Sequence, residues 1–275
     1  MGFLDRFKKK APVSTESDSS KKSGFLGFIL LSDCHFDWQL LKDTVWEDWE
    51  LKLNMEIKQR DEADNPSDSQ VASCDNGCWI PLMLLDMPVP DQEAEYNAVH
   101  NYMWKDAVET AKSHKAHLIL SVLGGQDPKE AGKLFVKVAA SCCKQENVIG
   151  IYTSGVVFVP RFYMEAAQMA KGDSLPILNW IWFGIRQSDK GISVYTYGME
   201  SFGKDEMEVL DVADAKPSEV RDFLLNIVAY VLEGDVTLRH GETLGATAEQ
   251  QLAITRSPGV FLEGMTLKIE YGPPQ

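Results

Sequence analysis

Apolar and polar positions follow two periods along this chain, 2 and 3.6 residues, and their order predicts the elements. Phe25 to Ser32 is a compact apolar run of strand length. Between Phe36 and Trp49, Leu40, Leu41, Val45 and Trp49 recur at helical spacing. Leu51, Leu53, Met55 and Ile57 then alternate with Lys52, Asn54, Glu56 and Lys58, as a half-exposed strand does. The polar run Arg60 to Gln70, with Pro66, predicts a loop or a mobile insertion. Trp79 to Met87 reads as a strand, Asp91 opens a helix carrying Val99, Tyr102, Met103 and Val108, and His117 to Leu123 is a buried strand ended by Gly124 and Gly125. The order βαββαβ is that of the ferredoxin-like, or split βαβ, unit: an antiparallel sheet with its helices on one face.

A second series follows. Asp127, Pro128 and Glu130 start a helix whose apolar stripe is Ala131, Leu134, Phe135, Val138 and Cys142. Val148 to Tyr152 predicts a strand, Pro160 to Ala170 a helix, and Asn179 to Arg186 with Ile192 to Tyr197 a hairpin turned by Asp189, Lys190 and Gly191. Met207 to Val212 is a further strand. Val220, Phe223, Leu224, Ile227, Val228 and Val231 mark the clearest helix, from Pro217 to a stop at Gly234. Leu252 to Thr255 and Met265 to Ile269 read as closing strands. The expected fold is α+β: two ferredoxin-like (split βαβ) α/β sandwich units, residues 25–125 and 126–275, with mainly antiparallel sheets and helices packed on one face. Residues 1–24 precede them as an amphipathic tip and flexible linker. In the tip, Phe3, Leu4 and Phe7 share a helical face and Lys8, Lys9 and Lys10 follow. Gly2 does not make a myristoylation site, because Arg6 stands where Ser or Thr is needed.

The 275 residues, 44% of them hydrophobic, exclude disorder across the whole chain and allow one large domain or two modest ones. The longest apolar runs fall well short of the roughly 20 residues that cross a bilayer, so a soluble chain is expected. Charge narrows the partners further. There are 41 acidic and 27 basic side chains, a net charge of -14. The first 24 residues hold six basic and three acidic side chains, which leaves -17 for the rest. Such a body lacks the basic footprint of a nucleic-acid binder. It either draws in basic proteins or serves solubility. An odd cysteine count of five, with no secretory signal at the N-terminus, points to a reducing cytoplasm.

Few residues suggest chemistry. Ser32, Asp33, Cys34, His35 and Asp37 lie where a strand yields to a helix, but a Cys and a His adjacent in sequence diverge, and Asp33 or Asp37 suits a helix N-cap. Cys74 and Cys78 with Cys34 and His35 have zinc-ligand chemistry without the spacing of a closed zinc site. Cys142 and Cys143 read as a helix end. His114 and His117 lack a metal pattern, and Gly124-Gly125-Gln126 lacks both the Walker lysine and a GxGxxG, with Asp127 opposing an anion there. Trp180, Trp182, Tyr195 and Tyr197 alternate along the expected hairpin, either filling a sheet face or offering protein-binding anchors. No catalytic, cofactor-binding or metal-binding residue is expected, and no cofactor.

Gly150-Ile-Tyr-Thr-Ser-Gly155 followed by Pro160, Leu175-Pro176 leading into Trp180 to Phe183, Tyr195-Thr-Tyr-Gly198 with Phe202-Gly203, and Gly241-Glu-Thr-Leu-Gly245 resemble the bacterial family of the domain of unknown function numbered 4261. The resemblance spans roughly Ile80 to Ile269. It implies a cytoplasmic bacterial protein without an assigned reaction, and no known site residue comes with it. The expected function is that of an acidic cytoplasmic protein-binding protein without catalytic activity: an immunity protein that neutralises a basic toxin, or an accessory factor for a secreted effector. The alternative is an enzyme or small-molecule binder using a cleft between the two units, with Asp33, His35 or His100 in a polar pocket. The expected partner is therefore a protein, with no nucleic acid and no transmembrane segment. The N-terminal tip is a candidate for contact with a membrane surface.

Overall fold

The computed structural model describes residues 24–55, 68–74, 77–245 and 251–272. The amphipathic tip, apart from Gly24, lies outside the described residues, as do Glu56 to Lys58 of the alternating segment and most of the polar run after Arg60. The fold is α+β, in two compact units that divide between Pro176 and Ile177.

The first unit contains β1 (Gly24–Leu31), α1 (Trp38–Trp49), β2 (Asp68–Ser73), β3 (Trp79–Leu85), α2 (Glu93–Ala98), α3 (Ala107–Ser113), β4 (Ala116–Leu123), α4 (Pro128–Cys142), β5 (Val148–Thr153), β6 (Val156–Phe158) and α5 (Pro160–Ala167). Its sheet runs β2-β3-β4-β1-β5-β6, antiparallel at every pairing. The split βαβ pattern is present twice and interlocked. β1 and β3 are parallel with β4 between them, joined through α1, while β4 and β5 are parallel with β1 between them, joined through α4.

That interlock moves the expected boundary at 125/126. β5 finds its partner on β1, with Phe28 opposite Tyr152 and Ile29 opposite Ile151, so residues 126–176 complete the first sheet. A pairing across more than a hundred residues leaves no mark in local periodicity.

The helices also depart from the one-face expectation. A Cβ on Gly27 would stand 2.8 Å from Cζ of Phe135, and the Phe25 and Phe135 rings are 6.0 Å apart, so α4 lies on the face of Phe25, Gly27, Ile29 and Leu31. Trp49 Nε1 donates to Ser141 Oγ at 3.0 Å and ties α1 to α4. On the opposite face Phe28 and Leu30 pack against Ala94 and Ala98 of α2 and Ala107 and Ala111 of α3. The helix expected from Asp91 is thus two short helices. Between them Asn101 donates through Nδ2 to the Val157 carbonyl at 2.9 Å, which fastens the break to β6. Asp68 to Gln70, the end of the run expected as loop, belong to an edge strand, Asp68–Ser73, that pairs with β3.

The second unit contains α6 (Ile177–Trp180), β7 (Trp182–Ser188), β8 (Gly191–Tyr197), β9 (Met207–Val212), α7 (Pro217–Glu233), β10 (Thr243–Leu244), β11 (Leu252–Pro258) and β12 (Met265–Ile269). Its sheet runs β10-β11-β12-β9-β8-β7, antiparallel except where β12 meets β9. α7 buries Val220, Leu224, Val228 and Val231 and packs on β7, β8 and β9. One long helix here replaces the two of a split βαβ unit, so the ferredoxin-like description applies to the first unit only. Asn179 and Trp180 belong to α6, and the hairpin begins at Trp182.

The close approach at Gly27 yields a test. Gly27→Val drives two methyl groups toward Phe135 and Thr153, and overpacking of this kind costs roughly 1–3 kcal/mol. Urea unfolding of the variant is expected to show a lower midpoint with an unchanged slope.

Candidate functional site

The residues singled out for chemistry are structural where they are described. Asp37 caps α1, accepting the Leu40 amide at 2.9 Å. Asn147 Nδ2 pins the turn before it, donating to the Asp33 carboxylate at 3.0 Å and to the His35 carbonyl at 2.8 Å. His114 and His117 are buried. His114 accepts the Val89 amide through Nε2 at 2.8 Å and donates from Nδ1 to the Ala111 carbonyl. His117 donates from Nδ1 to the Met87 carbonyl at 2.7 Å, and burial lowers its pKa, which keeps the ring neutral. Gly124 and Gly125 have positive φ and make the turn, and Asp127 occupies the N-terminus of α4 by accepting the Lys129 amide at 2.8 Å. None of the five cysteines is in a disulfide, and burial raises the pKa of the Cys78, Cys142 and Cys143 thiols. Among the described residues no group of three or more His, Cys, Asp or Glu side chains is placed to hold a metal ion.

The aromatic hairpin is mostly interior. Trp180 lies 4.8 Å from the Phe202 ring, and Tyr195 stacks on Phe261 at 5.5 Å and lies across Gly184, where an added Cβ would meet its ring. Trp180, Trp182 and Tyr195 are buried and fill the unit, which leaves Tyr197 alone of the four open to solvent.

Sequence reasoning missed two carboxylates in the same unit. Glu206 accepts the Thr196 hydroxyl at 2.6 Å and the amides of Gly198 and Met199 at 2.7 and 2.9 Å. Glu208 is fully buried on β9 and accepts the Val260 amide at 3.0 Å, the Phe261 amide and the Thr266 hydroxyl at 2.8 Å, and Lys268 Nζ at 2.9 Å. Each carboxylate therefore closes a loop: Glu206 the turn after β8, Glu208 the loop between β11 and β12. Val260 and Phe261 project to solvent from the second loop. Acidic residues two apart on a strand read as a solvent face. The available signal was Gly259 and Gly264 bracketing an apolar triplet, since a loop closed by the Gly259 amide on the Gly264 carbonyl at 2.8 Å folds back over that strand.

Both carboxylates and both loops fall in one stretch of sequence. Residues 195–270 match the family model of a domain of unknown function, DUF4261. No curated protein and no solved structure matches the chain. The DUF4261 segment holds Tyr195 to Gly198, Phe202-Gly203 and Gly241 to Gly245, whereas the resembling residues at Gly150 to Gly155 and Leu175 to Phe183 precede it. Within DUF4261 the motif at Tyr195 to Gly198 is the turn that Glu206 holds.

Outside the DUF4261 segment, the first unit presents a different surface. On the α2–α3 side of its sheet, register aligns Gly24, Leu123, Trp79 and Ser73 in one row; Leu26 with Ser121, and Pro81 with Val71, in the next; and Phe28, Ile119, Met83 and Ser69 in a third. None of these positions is ionisable. α2 and α3 cover this face only beyond Phe28 and Ile119. Leu26, Val71, Trp79, Met83 and Leu123 are exposed, Trp79 by 59%. The reverse face, with Phe25, Ile29, Ile80, Leu82, Leu118 and Val122, is buried. Apolar side chains clustered on adjacent strands and open to solvent make this face the candidate interaction surface of the first unit.

The carboxylates give opposite pH behaviour. Burial would raise the Glu208 pKa, but the bonds from Lys268, the Phe261 and Val260 amides and Thr266 outweigh it, so the carboxyl is held below its ordinary value. Its stabilisation is present above the ordinary glutamate range and is lost as pH falls through the lowered value. Glu206 is raised, by burial first, against the bonds from Thr196, Gly198 and Met199. Its contribution is present at low pH and lost as pH rises through the raised value. Glu208→Gln is expected to lower stability at pH 7 by about 2 kcal/mol, the size of charged hydrogen bonds forgone. The gap between variant and wild type, measured by urea unfolding, narrows as pH falls and the wild-type carboxyl itself protonates.

Proposed function

We propose that this chain is a protein-binding protein without catalytic activity, and that it docks a basic partner on the open half of the first unit's sheet. The observation that carries the reading is that exposed, uncharged face, with Trp79 in its outermost row and Met83 two rows further in. Residues 25–176, which surround it, hold 23 acidic and 13 basic side chains, so the approach to an apolar docking face lies in a negative field. A basic toxin neutralised by an immunity protein, or a basic secreted effector, has the matching chemistry. Five cysteines with no disulfide among the described residues fit a cytoplasmic setting. Glu206 and Glu208 are occupied by the donors of their own loops, which argues against either serving as the acid or base of an enzyme.

Affinity capture from the native cell, followed by binding kinetics, tests this. The expected result is a basic protein whose association rate falls as salt shortens the Debye length below about 8 Å. Replacing Trp79→Ser together with Met83→Ser removes the apolar anchors and is expected to weaken binding at least tenfold, chiefly through faster dissociation. An acidic partner, a small metabolite, or binding that the double variant leaves intact would overturn the reading.

A further inference from the structure

We propose that, without a partner, the open half of the first unit's sheet is covered by the chain's own residues Phe3, Leu4 and Phe7, which a basic partner then displaces. The inference rests on the reading of that face as a docking surface and names its resident occupant.

Connectivity supports it first. β1 begins at Gly24, whose register partner Leu123 is one corner of the exposed face. The preceding residues thus join the sheet at the edge of the surface they would cover. Reach supports it next. Lys8 to Ser23 is 16 residues rich in Ser and Lys, enough chain to span about 22 Å. From β1 to β2 is three strand spacings, about 15 Å. Such a tether holds its end at an effective concentration of roughly millimolar, so a contact too weak to retain a free peptide is still occupied.

Charge selects this occupant over a second copy. The first 24 residues carry six basic and three acidic side chains, whereas residues 25–176 are acidic by ten charges. A second copy brings its own -14 to the same face and is repelled. The apolar residues at 3, 4 and 7, next to Arg6, Lys8, Lys9 and Lys10, repeat the apolar-and-basic chemistry of the partner proposed above. A segment with that chemistry competes for the face and sets a threshold that the partner's affinity must exceed.

The test uses the full chain with a photoreactive p-benzoylphenylalanine in place of Phe7, irradiated as an equal mixture of unlabelled and nitrogen-15-labelled protein. The expected product is a cross-link to the peptide containing Trp79 and Met83, with both ends carrying the same label. Cross-links elsewhere, no cross-link, or products pairing labelled with unlabelled chains overturn the proposal, the last in favour of a second copy. A cross-link that moves to lipid when phosphatidylglycerol vesicles are added overturns it in favour of a membrane. In parallel, Phe3→Ser with Phe7→Ser is expected to tighten binding of the captured partner several-fold, and unchanged affinity overturns the displacement. The two readings separate cleanly. If Trp79→Ser with Met83→Ser abolishes capture while Phe7 cross-links elsewhere, only this inference fails. If Phe7 cross-links to Met83 while the same variant leaves capture intact, the cover stands, but the docking reading and the displacement that rests on it fail.

Discussion

The first unit depends on β1 being bonded along both edges and packed on both faces. β4 pairs with it from Gly24 to Leu31 and β5 from Phe28 to Leu31, so its second half has no free edge. From Phe28 onward every side chain is buried, whereas before it exposed and buried positions alternate. Burying a strand on both faces demands apolar residues at every position, which is why Phe28 to Leu31 shows no period of two. Gly27 lets the α4 face close down, because Phe135 occupies the space a side chain would need. On the other face the small side chains of Ala94, Ala98, Ala107 and Ala111 let α2 and α3 approach closely, but two short helices cover only part of a six-stranded sheet.

The second unit solves another problem, the backbone amides of loops folded over a sheet. Such amides need acceptors, since a buried donor left unbonded costs about 1–3 kcal/mol. Glu206 and Glu208 supply them from inside the fold. The cost of enclosing Glu208 is offset by Lys268, whose ammonium also donates to the Pro258 carbonyl at 2.8 Å. Ion pair and loop are therefore one structure. The match to DUF4261 spans this carboxylate-held part and not the open sheet face, so the two surfaces belong to different portions of the chain.

Local pattern made much of the fold legible. The apolar period of α7 and the Asp-Pro start of α4 mark elements that form as expected, Pro217–Glu233 and Pro128–Cys142. The α+β class with mainly antiparallel sheets follows from the same reading. What local pattern does not register is pairing at a distance. β5, expected as a strand of the second unit, reaches back to β1, and Asp68 to Gln70, expected as loop, join a strand because β3 offers it an edge. The aromatic hairpin takes the face-filling alternative for a related reason: Tyr195 turns across Gly184, its register partner, and Phe261 arrives from a distant loop to stack on it. Alternating aromatics mark a sheet face but not whether another segment covers it.

The open face was legible in one respect that period analysis passes over. Trp79-Ile-Pro-Leu-Met-Leu-Leu85 is apolar at every position, the composition of a strand buried twice, yet its burial alternates between exposed or half-exposed and buried. A half-exposed strand ordinarily places polar residues outward, as β11 does with Thr255 and Ser257. Keeping Trp79 and Met83 outward costs solubility without burying either side chain in the unit, which supports the proposal that a partner or segment covers them. Net charge then restricts what that is. A body of -17 opposes like-charged copies at encounter distance and favours segments that carry both apolar and basic side chains. In the proposed docking, apolar contact would supply the affinity and charge the discrimination, which is how an exposed hydrophobic face stays specific in a crowded solution.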